Sequence, residues 1–286
     1  MLIASPIPFF LAIQALRLAG LVIVLWLALL AGPLHACSAE SDCVIGERHY
    51  RLHLPQDHDL SLPIGALFYA HGYQGSAKAA MSNALLRALA DRFGLALVAL
   101  KSAGGDWTIP NAPSHATIPG TDEMAYVDAV IEDLAGRIAL DRDRLVATGF
   151  SAGGMMTWEL ACQRPARFHG FVPIAGTFWD PVPERCGGPA PNVTHIHGTT
   201  DRIVPLEGRR IAETKQGDVA EAMAMFRESH GFREGFEASG AGLACRVFVG
   251  GGELLLCTHP GGHSFSTEHL AFALERLLGP AIPSKR

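Results

Sequence analysis

Short apolar segments that alternate with segments of helical periodicity restrict the fold of this chain more than any other feature of its sequence. Ile64–Ala70 and Leu95–Leu100 are almost continuously apolar, which is typical of strands buried on both faces of a parallel sheet. Asp122–Ile138 carries its apolar side chains at positions that share one face of a helix. Strands that alternate with helices form a mainly parallel sheet with helices on both faces, so the sequence predicts an α/β fold.

The remaining predicted elements continue this alternation. An antiparallel edge strand is expected from the alternating pattern of Arg48–Leu54, and Ser76 is expected to cap a helix that Gly94 ends. Neither a repeat nor a linker divides residues 37–286, so we expect one domain. The other expected strands and helices are, in chain order, Arg144–Phe150, Ala152–Cys162, Phe171–Ala175, Val193–His197, Asp218–Ser229, Cys245–Val249, Glu253–Thr258 and Thr267–Leu278.

The first 36 residues differ in composition from the rest of the chain. Arg17 is the only formally charged side chain among them, and an apolar run over 18–31 follows it. A charge, an apolar run and a small-residue end predict a signal peptide over residues 1–36 and a secreted mature chain, extracellular or periplasmic. Because residues 1–16 are also mostly apolar, an uncleaved membrane anchor stays open as an alternative. Leu34-His35-Ala36-Cys37 loosely resembles a lipoprotein signal, but histidine stands where that signal requires a small residue.

Six cysteines follow residue 36, an even number that suits three disulfides in an oxidising compartment. Lipidation of Cys37 would leave one of them unpaired. None of the spacings is C-x-x-C, which argues against a zinc site or a thioredoxin-like redox motif. Short loops favour pairing between sequence neighbours, although sequence alone does not determine the connectivity. The expected pairs are Cys37–Cys43, Cys162–Cys186 and Cys245–Cys257.

The charge balance argues against some classes of partner. The net charge is −5, the isoelectric point is about 6.2, and basic residues are scattered with no run longer than Arg209-Arg210. Nucleic acids and anionic membranes bind through clustered positive charge. We therefore expect no nucleic-acid partner, and no stable membrane partner unless the N-terminus stays uncleaved.

The sharpest chemical signal is Gly149-Phe150-Ser151-Ala152-Gly153, a G-x-S-x-G motif between a predicted strand and a predicted helix. The glycines permit a tight strand-to-helix turn that exposes the serine above the sheet. A serine hydroxyl becomes a nucleophile when a neighbouring base takes its proton. The helix that follows points its first N–H groups at the negative charge that develops during attack. We interpret Ser151 as a catalytic nucleophile; a glycine-rich turn with a capping serine is the alternative.

An oxyanion site needs a second backbone N–H, from a loop that follows an earlier strand. His71-Gly72-Tyr73 comes directly after Ile64–Ala70. Taken alone, His71-Gly72 is an ordinary turn, and only its combination with Ser151 indicates a function. We expect the N–H groups of Tyr73 and Ala152 to form the oxyanion hole.

The acid and the base should follow the nucleophile in the order serine, acid, histidine. Asp201 comes directly after the predicted strand 193–197, at the end where parallel strands carry catalytic side chains. His263 lies in the glycine-rich segment Gly261-Gly262-His263-Ser264, between the last strand and the last helix. We therefore expect Asp201 to be the acid and His263 to be the base. The rival candidates, less well placed, are Asp180 and Glu207 as acids and His259 as the base.

Four further residues carry alternative interpretations. His195 and His197 lie two apart on a strand, so both rings face one side and could bind a metal. No other histidine or acidic side chain adjoins them in sequence, which favours structural core histidines over a metal site. Trp107 and Trp179 each follow a buried strand. We expect the two tryptophans either to rim the acyl pocket as substrate-binding residues or to pack in ordinary loops.

Three ordered motifs together resemble one enzyme family. They are Gly149-Phe150-Ser151-Ala152-Gly153-Gly154-Met155-Met156, the loop His197-Gly198-x-x-Asp201, and Gly261-Gly262-His263-Ser264. With them the chain resembles the polyhydroxybutyrate depolymerase/feruloyl esterase family of α/β-hydrolases over nearly all of residues 43–278. The resemblance implies the α/β-hydrolase fold, and the roles of nucleophile, acid and base for Ser151, Asp201 and His263.

The sequence also departs from that family. Many members place cysteine in a His-Gly-Cys oxyanion motif where this chain has Tyr73, and depolymerases of solid polyester commonly carry an extra substrate-binding domain that we do not recognise here. We expect a secreted serine ester hydrolase that needs no cofactor or metal. Its expected partner is a small or oligomeric ester, of the polyhydroxyalkanoate or short acyl type. A carbohydrate esterase of the feruloyl or acetyl-xylan type is the alternative, and an inactive secreted binding protein or a peptidase is less favoured.

Overall fold

Ten strands of the described residues form one sheet, and every strand predicted from the sequence has a place in it. The structure is a computed structural model that describes residues 37–56, 58–59 and 61–281. The signal peptide predicted for residues 1–36 lies outside the described residues. The strands are β1 (Cys43–Ile45), β2 (Arg48–His53), β3 (Ile64–Ala70), β4 (Leu95–Leu100), β5 (Leu140–Phe150), β6 (Gly170–Ile174) and β7 (Val193–Gly198), a separate ribbon of β8 (Arg210–Ile211) and β9 (Thr214–Lys215), and then β10 (Arg233–Gly240), β11 (Leu243–Val249) and β12 (Glu253–His259).

The sheet is parallel in its centre and antiparallel at both sides. Its strand order is β1-β2-β4-β3-β5-β6-β7-β12-β11-β10. The pairs from β4 across to β12 are parallel, whereas β1, β2, β11 and β10 join through antiparallel pairs. Strands β3, β4, β6 and β7 are buried along their whole length, because helices cover both faces. The carboxyl ends of the parallel strands meet at one edge of the sheet, where ligands of such folds bind.

Helices cover the two faces of the sheet and separate the core into two apolar layers. They are α1 (Ala77–Ser82), α2 (Ala84–Arg92), α3 (Pro113–Thr117), α4 (Glu123–Arg137), α5 (Ala152–Gln163), α6 (Val219–His230) and α7 (Thr267–Leu278), with a 3-10 turn at Pro165–Arg167. Helices α1, α2 and α7 pack in the layer that contains Leu67, and α4, α5 and α6 pack in the layer that contains Phe68. These neighbours in β3 point to opposite faces, as the two-residue period of a strand requires. Among the described residues, no helix is long and apolar enough to span a membrane.

The sequence did not predict the short elements β1, α3, β8 and β9, and the structure differs from the expected elements at three further places. The helix expected between Ser76 and Gly94 is two helices, because Asn83 ends the first and its side chain caps the second by accepting backbone N–H groups. Strand β2 is not the edge strand that the sequence predicts, since β1 pairs outside it. Strand β10 is absent from the prediction, because its exposed, charged and small residues show no apolar alternation.

Three disulfides form between the sequence neighbours expected above. They join Cys37 to Cys43, Cys162 to Cys186 and Cys245 to Cys257. The last pair lies at directly opposite positions of the antiparallel strands β11 and β12. A hairpin therefore brings these two cysteines together without any long-range contact.

Glu159 places a carboxyl group in the buried interior of α5. The residue is 2% exposed. Its Oε2 accepts a hydrogen bond from the side-chain amide of Gln163 at 2.7 Å. Burial raises the pKa of this carboxyl to about 7, against a smaller lowering by the Gln163 hydrogen bond. The folded protein therefore holds a proton on Glu159 at pH values where an exposed glutamate has lost it.

We expect the pH dependence of stability to change when Glu159 is replaced by glutamine. Because the folded state has the raised pKa, it keeps a proton that the unfolded chain releases between about pH 4.5 and 7. Stability from this group is therefore present at the acidic end of that range and lost as the pH rises through it. Glu159→Gln keeps the acceptor for Gln163 and cannot titrate, so its melting temperature should exceed that of the wild type at pH 8 and approach it near pH 5. Calorimetric melting at both pH values checks this, and an equal difference at both would contradict it.

Candidate active site

Ser151 occupies a strained turn between the end of β5 and the start of α5. Its backbone has φ 59° and ψ −121°, a conformation that residues with side chains rarely adopt. Its N–H donates to the carbonyl oxygen of Ile174 in β6 at 2.9 Å, which holds the turn against the sheet. Strain of this kind costs on the order of 1–3 kcal/mol and persists where surrounding contacts enforce it. The structure thus has the strand–turn–helix arrangement that the G-x-S-x-G motif predicts.

Gly149 and Gly153 make this turn possible because no side chain would fit at either position. A Cβ atom on Gly149 would overlap the carbonyl group of Gly153. A Cβ atom on Gly153 would overlap the carbonyl oxygen of Ala70, the last residue of β3. The close approach of α5 to the ends of β3 and β5 is therefore the physical reason for the two glycines that flank the serine.

The two N–H groups expected to form the oxyanion hole come from separate segments. Ala152 is the first residue of α5, so its N–H has no carbonyl acceptor within the helix. Tyr73 lies in the loop after β3, and it lines the same cleft as Ser151 and Ala152. The next residue, Gln74, donates its N–H to the carbonyl of Gly105 at 2.6 Å, which ties this loop to the loop after β4. The structure therefore brings Tyr73 and Ala152 together beside the serine.

His71 holds the loop that carries Tyr73. The residue is 3% exposed, and burial lowers its pKa to about 4, so its ring is neutral at neutral pH. Nε2 accepts the N–H of Ser102 at 3.2 Å. The ring proton is therefore on Nδ1, which donates it to the carbonyl of Gly72 at 2.8 Å. An uncharged histidine with both nitrogens hydrogen-bonded thus fixes the loop from behind.

Of the two interpretations of Trp107, the structure agrees with packing in a loop and not with the rim of the acyl pocket. The residue is 1% exposed, and its indole N–H donates to the carbonyl of His71 at 2.7 Å. The two rings also lie against each other, with centroids 5.0 Å apart. Trp107 therefore supports the oxyanion loop from the interior. A tryptophan after a buried strand gives no local signal that distinguishes the rim of a pocket from the protein behind it.

Asp201 and His263 are hydrogen-bonded, with Nδ1 of the histidine 2.7 Å from Oδ2 of the carboxylate. The side chain of Asp201 is fully buried and that of His263 is 15% exposed. The other carboxylate oxygen, Oδ1, accepts the N–H groups of Ile203 at 2.8 Å and Val204 at 2.9 Å. These backbone bonds turn Oδ2 toward His263, whose Nε2 is left as the basic nitrogen.

His263 also contacts the residue that precedes the nucleophile. The centroid of its ring lies 4.7 Å from the ring of Phe150, the neighbour of Ser151. The rival base His259 ends β12, and its Nδ1 accepts a backbone N–H from two residues further on at 3.1 Å. The carboxylate bond and the contact with Phe150 therefore favour His263 over His259 as the base.

An open cleft of about 570 Å³ lies beside Ser151. Part of its lining is apolar and includes Ile118, Met155 and Trp179. Trp179 is 7% exposed, so the ring is largely packed into the protein and contributes to the wall of the cleft. The structure thus places Trp179, unlike Trp107, where a substrate could contact it.

The cleft also contains the polar residues Arg209 and Gln216, which are not among the candidates from the sequence. Nε of Arg209 donates to the carbonyl of Ile203 at 2.7 Å, and its guanidinium forms no ion pair with an acidic side chain of the described residues. Gln216 is 5% exposed, and its Oε1 lacks a hydrogen-bond partner within the described part of the chain. Both belong to the segment around the ribbon β8–β9, where polar residues without periodicity gave no sign of a binding role.

The structure places His195 and His197 in the core, with both residues 0% exposed. Within residues 37–56, 58–59 and 61–281, no group of three or more His, Cys, Asp or Glu side chains is arranged to hold a metal ion. The two histidines instead contact each other and the residues around Asp201.

Several proteins that are similar in sequence to this chain are named as esterases. A model of the prolyl oligopeptidase family (peptidase family S9) matches residues 116–179, which include Ser151. NocK of Nocardia uniformis subsp. tsuyamanensis, provisionally named an esterase, is 34% identical over 169 residues, 56% of this chain and 47% of NocK. Feruloyl esterase C of Emericella nidulans is 29% identical over 234 residues, 77% of each chain. The chain thus spans about half the length of several curated relatives that it matches, NocK among them.

Comparison with solved structures identifies the fold. The acetyl xylan esterase from Aspergillus awamori aligns with a TM-score of 0.63 over 82% of this chain and 97% of that chain. The two sequences are 13% identical over this alignment, so the likeness concerns the fold alone. A mainly parallel sheet with helices on both faces and a strained serine turn after its central strand β5 agrees with this alignment. The residues that the structure describes therefore have the α/β-hydrolase fold.

Proposed function

We propose that this protein is a serine hydrolase of carboxylic esters, with Ser151, His263 and Asp201 as its catalytic triad. The hydrogen bond between Asp201 and His263 carries the proposal, because it joins residues 62 positions apart beside the serine turn. The relatives named as esterases support the same activity. A secreted binding protein that had lost its activity would need neither the strained turn nor an oriented histidine.

In the proposed reaction, His263 takes the proton of the Ser151 hydroxyl as the serine oxygen attacks the ester carbonyl carbon. The bond between the carbonyl carbon and the alcohol oxygen then breaks, and His263 gives the proton to the departing alcohol. Water attacks the acyl-enzyme in the same way, which releases the acid and restores the serine. Asp201 keeps the ring proton on Nδ1 and stabilises the charged imidazole. No step in this mechanism uses a cofactor or metal.

The N–H groups of Tyr73 and Ala152 are proposed to bind the carbonyl oxygen as it becomes negative. Donors that are already oriented stabilise this charge, and the loss of one typically lowers kcat by about 10²–10³-fold in serine hydrolases. His71 and Trp107 hold the loop of Tyr73 from behind. These two buried rings are therefore proposed to keep the first donor in position.

We propose esters of carbohydrates, rather than polyhydroxyalkanoates, as the substrate class. The cleft combines apolar side chains, suited to an acyl group, with the polar groups of Arg209 and Gln216. Sugar hydroxyls can bind such polar groups, whereas a polyhydroxyalkanoate chain offers only ester oxygens and aliphatic groups. The relative named feruloyl esterase C, 29% identical over 77% of this chain, supports the same choice.

We propose that the protein acts outside the cytoplasm. Three disulfides form among the described residues, and disulfides persist in oxidising compartments. The signal peptide predicted over residues 1–36 would deliver the chain there. Peptide sequencing of the protein from the culture medium tests both statements, since the secreted form should begin near Cys37.

Hydrolysis of a small chromogenic ester, of carbohydrate esters and of a polyester fragment by the purified protein tests the proposed activity. We expect release of p-nitrophenol from p-nitrophenyl butyrate. We also expect kcat/KM to be higher for feruloylated or acetylated xylo-oligosaccharides than for the linear trimer of 3-hydroxybutyrate. A preference for the trimer would favour a polyester substrate instead. Inactivity on every ester would contradict the proposal, and cleavage of peptide p-nitroanilides in its place would point to the peptidase activity that the family-S9 match suggests.

A fluorophosphonate probe identifies the nucleophile independently of the substrate. The probe forms a covalent bond with a serine oxygen that a neighbouring base has activated, and fluoride leaves. We expect peptide mass spectrometry to find the label on Ser151. Labelling of a different serine would contradict the proposed triad.

We expect Arg209→Met to raise KM for a feruloylated or acetylated oligosaccharide by roughly tenfold, the usual size of a hydrogen bond from a charged group. Arg209 lines the cleft, and its guanidinium has no acidic partner in the described structure, so the N–H groups that do not bind Ile203 can donate to substrate oxygens. Steady-state kinetics with the oligosaccharide and with p-nitrophenyl butyrate check this, and KM for the small ester should change little.

Arg210→Met is the matched control for Arg209→Met. Arg210 is the next residue along the chain, but it lines a separate polar cavity with His115 and Glu213 instead of the cleft at Ser151. The Arg210→Met variant removes the same charge from the neighbouring position in the chain. Equal effects of the two variants would show a general effect of charge and contradict a specific contact with the substrate.

A further inference from the structure

A second imidazole, that of His197, lies against the carboxylate of Asp201. Its Nε2 is 3.4 Å from Oδ2, and both side chains are fully buried. The same Nε2 is only 2.7 Å from the carbonyl oxygen of Val204. Oδ2 is also the oxygen that is bonded to His263. The catalytic acid proposed above therefore contacts two histidines through one oxygen atom.

The contacts of His197 determine where its ring proton lies. Nε2 faces a carbonyl and a carboxylate oxygen, which are both acceptors, so Nε2 carries the proton. Burial lowers the pKa of His197, although Asp201 and the Val204 carbonyl raise it. The ring is therefore neutral, and its Nδ1 is an acceptor. The titratable groups around it are Asp201, His259 and His263, together with His195.

His195 contacts the other nitrogen of the His197 ring. Its Nε2 lies 3.0 Å from Nδ1 of His197, and it must donate to that nitrogen. Burial holds the pKa of His195 well below the ordinary value, so this ring is also neutral and has a single proton. The donation thus runs in one direction, from His195 to His197 and from His197 to Val204 and Asp201.

Val204 links the two histidines to the orientation of the acid. Its carbonyl oxygen accepts from His197, while its N–H donates to Oδ1 of Asp201 at 2.9 Å. The turn at Val204 therefore holds Oδ1 of Asp201, and the imidazole of His197, which contacts Oδ2, holds that turn in place. Rotation of the carboxylate away from His263 would break both sets of contacts.

We infer that His197 is a positioning residue of the triad, with His195 as the donor to its Nδ1. The inference rests on the proposed function, because it assigns a role in orienting Asp201. Nδ1 of His195 completes no hydrogen bond within the described residues, and a buried polar atom of this kind destabilises the fold. Apolar side chains would fill the space without that cost.

Two substitutions at His197 separate hydrogen bonding from packing. Glutamine can place an N–H near the position of Nε2, whereas methionine has a similar length and no donor. For His197→Met we expect kcat on p-nitrophenyl butyrate to fall by about 10²-fold, the usual effect of a displaced catalytic group, with KM nearly unchanged. For His197→Gln we expect recovery of most of that loss. Equal kcat values for the two folded variants would overturn the inference.

A double-mutant cycle with Asp201→Ala tests whether His197 acts through the acid. Without a carboxylate there is nothing to orient, so His197→Met should lower kcat little further in this background. A histidine that only stabilises the core would reduce activity by the same factor in both backgrounds. That additive result would overturn the inference.

Proton NMR tests the same inference without turnover, so its outcome is independent of whether the protein hydrolyses esters. A strongly hydrogen-bonded Nδ1 proton, like that between His263 and Asp201, gives a downfield imidazole signal. We expect this signal in the wild type and in His197→Gln, and its loss or upfield shift in His197→Met. An unchanged signal in folded His197→Met would overturn the inference even if the wild type hydrolysed no ester.

Discussion

Replacing Ser151 by alanine is expected to lower kcat for ester hydrolysis by about 10⁶-fold, the size of the loss in a well-tuned triad. Without the hydroxyl oxygen no acyl-enzyme can form, and His263 has no proton to accept from the protein. The cleft keeps its lining, so substrate binding should change little. Initial rates of p-nitrophenyl butyrate hydrolysis, with binding of a feruloylated oligosaccharide by calorimetry, check both statements.

The control for this substitution is Ser82→Ala. The hydroxyl of Ser82 donates to the carbonyl of Ala79 at the end of α1, in a helix that does not line the cleft. Ser82→Ala removes the same hydroxyl oxygen from an exposed part of the protein, and the hydrolytic activity should stay at the wild-type level. Substantial activity in folded Ser151→Ala would show that another residue is the nucleophile.

Replacing Asp201 by asparagine is expected to lower kcat by about 10⁴-fold, as the wrong imidazole tautomer does in serine hydrolases. The N–H groups of Ile203 and Val204 require an acceptor at the position of Oδ1. The oxygen of asparagine will therefore face these donors, and its NH₂ group will face Nδ1 of His263. The ring must then carry its proton on Nε2, where it cannot take a proton from Ser151.

Asp180→Asn is the matched control, since Asp180 is the rival acid that the sequence left open. Its carboxylate lies 3.8 Å from Lys215 and lines the polar cavity apart from Ser151. We expect kcat of Asp180→Asn within about twofold of the wild type, the size of a typical surface change. A large loss in Asp180→Asn with a small loss in Asp201→Asn would overturn the assignment of the acid. Steady-state rates of both variants at several pH values provide the comparison.

Much of the fold follows from local sequence patterns. The continuous apolar runs of β3 and β4 predict buried parallel strands, and the structure confirms them. The helix after Ser151 and the last helix, Thr267–Leu278, also lie where the sequence predicts them. The break at Asn83 was missed because a residue that caps a helix by its side chain is also tolerated within one.

The candidate site could likewise be predicted in part from the sequence. The order of Ser151, Asp201 and His263 after strand ends predicts that they converge, because parallel strands carry their carboxyl ends to one edge. The structure brings Asp201 and His263 into hydrogen-bond contact beside the serine turn. The position of Trp107 behind the oxyanion loop had no such local signal, because it depends on a contact with His71, 36 residues earlier.

By itself, the sequence determined the parallel core and the turn at Ser151, and it favoured the pairing of neighbouring cysteines that the structure confirms. These features depend on apolar periodicity, on the spacing of the glycines around Ser151, and on short loops, all of which are visible in neighbouring residues of the sequence. Only the tertiary structure decided that His197 contacts Asp201, and that Arg209 and Gln216 line the cleft. The polar residues concerned lie in β7, in the loop after it and around the ribbon β8–β9, and they show no periodicity, so their partners are set by how these segments pack together.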